Sequence, residues 1–179
     1  GSSDAFLSKL DFTGNWHWTK TWGGANADSA IGVSWWNSLF VCGRFTGITN
    51  FGGSTIYISN GGNDAFVAKF DPVSGDTLWT RTWGGDQDDC ALGVNFTWSA
   101  YPDNRRLYVC GYFMNNGNGS GIDFFPGIGS NIKQSEGMTD AFVSIFSGSD
   151  HTYHLTYTWG TEGLDVAKAV VNLNQYGYW

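Results

Sequence analysis

The chain has 179 residues, 41% of them hydrophobic and 17% aromatic, which is enough for a packed core and excludes a disordered segment. The formal net charge is −7, and no basic cluster extends beyond Arg105-Arg106, so the cationic surface that phosphate backbones require is missing. No apolar run approaches a membrane-spanning length, and no basic-then-apolar leader opens the sequence, which reads equally well as a mature or partial chain.

Three copies of one unit organise the sequence. Asp4-Ala5-Phe6 opens DAFLSKLDFTGNWHWTKTWGG, Asp64-Ala65-Phe66 opens DAFVAKFDPVSGDTLWTRTWGG, and Asp140-Ala141-Phe142 opens DAFVSIFSGSDHTYHLTYTWG. From Asp to the Trp of T-W-G the spacing is 18, 19 and 19 residues (4 to 22, 64 to 83, 140 to 159), a structural repeat. Within a unit, apolar and polar residues alternate with period two on both sides of a turn rich in Pro, Gly, Asp and Ser, which predicts a hairpin. The turns fall at Phe12–Asn15, Asp71–Asp76 and Ser147–Asp150.

After each T-W-G the pattern continues. An Asp stands six residues beyond the Trp (Asp28, Asp89, Asp165), followed by the short runs S-A-I-G-V and C-A-L-G-V, which read as strands buried on both faces. F-V-C-G-R-F at 40–45 and Y-V-C-G-Y-F at 108–113 supply a further strand. Four short strands thus recur over 61 residues (Trp22 to Trp83) and again over 76 (Trp83 to Trp159). That is the signature of a β-propeller of four-stranded antiparallel blades.

The series D-A-F-V-A-K-F-D-P, L-W-T-R-T-W-G-G, D-D-C-A-L-G-V and L-Y-V-C-G-Y-F resembles the seven-bladed β-propeller repeat of large secreted and cell-surface proteins of bacteria and archaea. The resemblance covers most of the chain outside its long loops. It implies an all-β propeller and an extracellular or cell-surface location, and it carries no catalytic residues or cofactor. The third copy departs from the pattern, with Leu155 where Trp18 and Trp79 stand.

On this frame, residues 1–24 are the outer strands of a blade. Residues 25–85 and 86–161 are complete blades, and 162–179 are the inner strands of another, with Trp179 level with Cys42. About three blades' worth is too few to close a ring, since closed propellers hold about four to eight. The expected partner is therefore the remainder of a longer chain or further copies of this one.

Relative to 25–85, the blade at 86–161 is extended around 99–106 and across 114–139, the latter reading as a long loop without strands. These loops and the non-recurring tryptophans nominate Trp35, Trp36, Trp98, Tyr101, Arg105, Phe124 and Phe125 for binding a glycan or protein. If Trp35 and Trp36 both lie on a strand they point to opposite faces, so only one of them serves. The recurring Trp22, Trp83 and Trp159 are expected to fill the space between adjacent blades.

The recurrence of Asp28, Asp89 and Asp165 points to carboxylates that cap turn amides once per repeat. Asp86, Asp88 and Asp89 place extra oxygen ligands in one copy, the type of group that holds Ca²⁺, although the EF-hand spacing is absent. His151 and His154 are three apart in a hairpin, where they face opposite sides and make a poor zinc pair. Cys42 and Cys110 occupy equivalent strand positions and, with Cys90, read as small buried residues. Asn95-Phe96-Thr97 and Asn118-Gly119-Ser120 match the N-glycosylation pattern.

No nucleophile–base pair or phosphate loop is evident. F-D-P-V-S-G-D-T-L-W is similar to the docking motif of propeller dehydrogenases that use pyrroloquinoline quinone, but no Ca²⁺ site or acidic base accompanies it. The expected role is a non-catalytic structural or interaction module. A carbohydrate- or protein-binding propeller is the first alternative, and a quinoprotein-type enzyme the second.

Overall fold

The computed structural model describes residues 2–99 and 104–171. Among these the chain is all-β, with antiparallel pairing in every sheet. It opens with a hairpin, β1 (Ala5–Leu10) and β2 (Trp16–Trp22). A four-stranded sheet follows, built from β3 (Ser29–Trp35), β4 (Leu39–Phe45), β7 (Asp64–Phe70) and β8 (Thr77–Trp83), paired in that order. A second sheet repeats it with β9 (Cys90–Thr97), β10 (Arg106–Phe113), β13 (Asp140–Ser147) and β14 (Tyr153–Trp159). Each pairs its strands in chain order, interrupted only by the excursions between β4 and β7 and between β10 and β13. Among the described residues, no helix is long and apolar enough to cross a membrane.

The turns that close the hairpins follow from local chemistry. The Asp71 carboxylate accepts hydrogen bonds from the amides of Val73 (2.7 Å) and Ser74 (2.8 Å), and Gly75 takes the left-handed φ of 74° that the turn requires. Asp11 does the same for Thr13 and Asn15, both at 2.9 Å, with Gly14 at φ 88°.

Two further devices repeat. At the end of each hairpin one residue bulges out of register: His17, Leu78 and His154 are skipped at the Lys9/Leu10, Lys69/Phe70 and Ile145/Phe146 steps. In the first strand of each sheet a second bulge falls at Ile31 and at Leu92, opposite Cys42-Gly43 and Cys110-Gly111. This bulge drives β3 and β9 against their neighbours so closely that the Gly of V-C-G has no room for a side chain. A Cβ at Gly43 would lie 1.9 Å from the Ser29 oxygen.

The core forms in two layers. Trp22 of β2 packs onto Phe66 and Phe70 of the first sheet, with ring centroids 6.2 and 5.3 Å apart. Trp83 of β8 packs onto Phe142 and Phe146 of the second sheet, at 5.7 and 6.4 Å. The recurring T-W-G tryptophan therefore fills the joint between one sheet and the next. Trp159 ends the series half-exposed.

The structure corrects two sequence expectations. First, β9 is largely buried, but β3 is not, and Ile31, Val33 and Trp35 are exposed along one face. The same sequence pattern is buried where it packs on another four-stranded sheet, as β9 does on β3 and β4, whereas on its other side β3 has only slight contact with the β1–β2 hairpin. Second, the stretch 114–139 holds a small hairpin, β11 (Ile122–Asp123) with β12 (Ile132–Lys133), and its Ile122 and Phe124 belong to the core. An equivalent hairpin, β5 (Ile48–Thr49) with β6 (Tyr57–Ile58), stands in the earlier repeat. Phe51 and Phe124 each cover a joint tryptophan, at 6.4 Å from Trp22 and 6.1 Å from Trp83. Phe124→Ala is expected to destabilise the fold by about 3–5 kcal/mol, read as a lower urea midpoint at unchanged slope.

Candidate ligand-binding cleft

A cleft of about 320 Å³ opens where the β3–β4 turn meets the β9–β10 connection. The Trp36-Asn37-Ser38 turn forms one wall. Trp36 donates its amide to the Ser38 carbonyl (3.0 Å), and Asn37 adopts φ 49°, a left-handed conformation that Asn tolerates better than most residues. This tight turn lifts Trp36 off the strand and leaves its ring exposed.

Trp98 faces it, just beyond the end of β9, with its ring centroid 5.9 Å from that of Trp36 and the planes tilted by 41°. Arg105 lies over Trp98, its guanidinium carbon 5.9 Å from the ring centroid. Its Nε donates to the Ser99 carbonyl (2.9 Å), and its own carbonyl accepts from Gly148 of the neighbouring turn (2.9 Å).

The floor comes from the sheet that carries the Trp36 turn, where Phe40 of β4 pairs with Lys69 of β7. Lys69 of β7 reaches the cleft with its ammonium 3.4 Å from His151 Nε2 and 5.8 Å from the centroid of Phe40. Burial pushes the Lys69 pKa down. His151 is also held below its ordinary value, first by burial and then by Lys69, so its ring is neutral at pH 7 and accepts from the lysine. The Asp150 carboxylate is taken up by Thr152, whose amide and hydroxyl both donate to it. The cleft therefore brings together two tryptophan rings, packed on one another with Trp36 exposed, and two cations.

Of the residues nominated from sequence, Trp36, Trp98 and Arg105 come together in this cleft. Trp35 lines a separate apolar groove with Leu7, Leu10 and Trp18. Phe124 is buried in the joint described above, so its ring is out of reach of a ligand, and Phe125 stacks on Tyr153 at 4.8 Å. Tyr101 lies outside the described residues. Sequence reading missed Lys69, which is remote from the other cleft residues in the chain: pairing of β7 with β4 sets it beside the Trp36 turn, and stacking of the two sheets brings Trp98 and Arg105 to it.

The three carboxylates nominated for a metal diverge. Asp86 accepts from the Gly117 amide (2.7 Å) and Gln87 Nε2 (3.1 Å), and it lines a polar cleft with Asp64 and Asp123. Asp88 accepts from the amide and side chain of Asn63. Asp89 is buried between the amides of Gly85 (2.9 Å) and Met114 (3.0 Å). Among the described residues, no group of three or more His, Cys, Asp or Glu side chains is arranged to hold a metal ion.

Asp28, Asp89 and Asp165 do the same job in each repeat, accepting from the amides of Gly24, Gly85 and Thr161 at 2.8–3.0 Å. The three cysteines are unpaired and buried, and burial raises the Cys90 and Cys110 thiols to about 11, far from the reactive range.

No protein-family model matches this chain, and no curated protein matches it.

Proposed function

We propose that this chain is part of a β-propeller exposed outside the cell or at its surface, and that it serves as a non-catalytic interaction module. Two four-stranded antiparallel sheets with the same strand order, bulges and joint tryptophans support the propeller reading. The acidic, aromatic-rich, lysine-poor composition suits the extracellular one.

The observation that carries the binding role is the meeting of Trp36, Trp98, Arg105 and Lys69 in one cleft. Flat aromatic faces suit the C–H surfaces of sugar rings, and two cations in a chain of net charge −7 select for a carboxylate or sulfate. An acidic oligosaccharide is the ligand this chemistry fits best.

Calorimetric titration tests it, with an oligogalacturonate and a neutral galacto-oligosaccharide of equal length. The acidic ligand is expected to bind. Trp98→Ala is expected to weaken binding about tenfold, the equivalent of about 1.4 kcal/mol. Equal binding of the neutral sugar would remove the role given to Lys69 and Arg105, and heat from neither would end the saccharide reading.

A further inference from the structure

Two stretches carry the Asn-x-Ser/Thr pattern, and the fold treats them differently. Asn95-Phe96-Thr97 lies on β9, in register with Tyr108, Leu107 and Arg106 of β10. Asn95 is half-buried there, and Thr97 is buried. The Thr97 hydroxyl donates to the Arg106 carbonyl (3.2 Å) and accepts from the Arg106 amide (3.1 Å), so the hydroxyl of this triplet is engaged inside the sheet. Phe96 between them stacks on Phe40 of the neighbouring sheet, with ring centroids 5.3 Å apart. This segment would have to leave the core before anything could be joined to it.

Asn118-Gly119-Ser120 instead forms the tip of a tight turn between β10 and β11, and all three residues are exposed. The Asn116 amide donates to the Ser120 carbonyl (2.8 Å), and the Gly119 amide to the Asn116 carbonyl (2.7 Å), which closes the turn. Gly119 takes φ 80°, and no atom beyond its chain neighbours lies within 4 Å of where its Cβ would stand, so the tip projects into open space. Asn118 Oδ1 accepts from the Ser120 amide (2.9 Å), an Asx turn that holds the carboxamide beside the serine. The Ser120 hydroxyl accepts from Asn116 Nδ2 (2.8 Å). The base of the turn is fixed to the body of the molecule. The Asp86 amide donates to Asn116 Oδ1 (2.9 Å), and the Gly117 amide donates to Asp86 Oδ1 (2.7 Å).

We propose that Asn118 carries an N-linked oligosaccharide and that Asn95 stays bare. The proposal rests on the extracellular reading, because this modification reaches chains delivered across a membrane. In the reaction, Asn118 Nδ2 attacks the anomeric carbon of an oligosaccharide carried on a polyprenyl pyrophosphate. A C–N bond replaces the C–O bond to phosphate, and the polyprenyl pyrophosphate leaves with the electron pair. One amide proton passes to a carboxylate of the transferase, and nothing is oxidised or reduced. The product is a bulky, solvated group that only an exposed asparagine accommodates.

The position also spares the cleft. Trp98 and Arg105 lie before β10 begins at Arg106, and the turn follows its end at Phe113. The strand between them is about 23 Å long. A glycan at Asn118 therefore leaves the binding cleft open.

Mass spectrometry of proteolytic peptides from the chain isolated from its own cells tests this, with the compartment of isolation recorded. The peptide containing Asn118 is expected to carry a hexose-containing addition, and the peptide containing Asn95 to be unmodified. Re-expressed in the same cells, Asn118→Gln and Ser120→Ala are expected to lose the addition, and Asn95→Gln to keep it. Ser120→Ala retains the acceptor nitrogen, so its loss reports recognition of the triplet, and circular dichroism confirms that each variant folds. An exported chain with a bare Asn118 overturns the proposal and leaves the extracellular reading standing. An addition at Asn95, or one at Asn118 that survives Ser120→Ala, overturns it as well. A chain retained in the cytoplasm ends both readings together.

Discussion

A Gly111→Ala chain is expected to lose its cooperative fold. The added Cβ would sit 1.9 Å from the Cys90 oxygen, 2.9 Å from the Cys90 carbonyl carbon and 3.0 Å from the Ala91 Cα. All three are backbone atoms of β9, held by the ladder on one side and by the bulge at Leu92 on the other, so no rotamer change relieves the contact. Ordinary overpacking of a core costs about 1–3 kcal/mol, and a clash with fixed backbone exceeds that. Such a loss is a large share of a domain's total stability. Urea unfolding followed by tryptophan fluorescence measures the effect, with Gly163→Ala as the control. Nothing lies within 4 Å of a Cβ at Gly163, so its midpoint is expected to stay within about 0.5 kcal/mol of the parent. Indistinguishable midpoints for the two variants would mean that β9 yields more easily than its bonding implies.

The second large effect is a fall in stability as pH rises from about 4 to 7. Asp64 and Asp89 flank Gly84, where a Cβ would lie 2.6 Å from Asp64 Oδ1 and 2.9 Å from Asp89 Oδ2. Burial raises each carboxyl to about 7, and their mutual repulsion adds to the rise at Asp89. The folded state therefore holds protons that the unfolded chain releases near 3.8. By linkage, stability is highest below about pH 4 for these two groups, declines as pH rises from 4 to 7, and is fully reduced above 7.

The two sites share one environment, so their contributions overlap, and the joint effect between pH 5 and pH 8 is about 2–4 kcal/mol. Asp89→Asn is expected to flatten this dependence at a lower overall midpoint. Its amide oxygen still accepts from Gly85, but its NH2 then faces the Met114 amide, which donates to the carboxylate in the parent. Urea midpoints at pH 5, 6, 7 and 8 decide the matter, and a variant with the parent's slope would show that these carboxyls are not the source.

The comparison between sequence and structure is instructive at particular residues. The hairpins at 64–83 and 140–159 were legible because alternation and turn chemistry are local, and Asp71 and Gly75 act on neighbours within a few residues. The 114–139 stretch was read as a loop because β11 and β12 hold two residues each, too short for any periodicity. A signal was present nonetheless. Ile48-Thr49-Asn50-Phe51 and Ile122-Asp123-Phe124 place an Ile shortly before a core Phe in both repeats.

The candidate cleft was only partly visible. Trp36, Trp98 and Arg105 stood out as aromatic or cationic residues in non-repeating positions, but nothing local ties Lys69 to them. Trp35 looked equivalent to Trp36 in the sequence, and the turn at Asn37 sends the two rings to different cavities.

By itself the sequence determined the long strands of the two sheets, the turns of their hairpins, the period of the repeat and the tryptophan that recurs in it, because each depends on residues close together in the chain. Tertiary structure alone decided which copies of the pattern are buried. Trp22, Trp83 and Trp159 share one motif, yet two are sealed by the phenylalanines of a following sheet and the third is half-open. Burial belongs to the pair of surfaces and not to the residue, and so it became apparent only once the sheets were stacked.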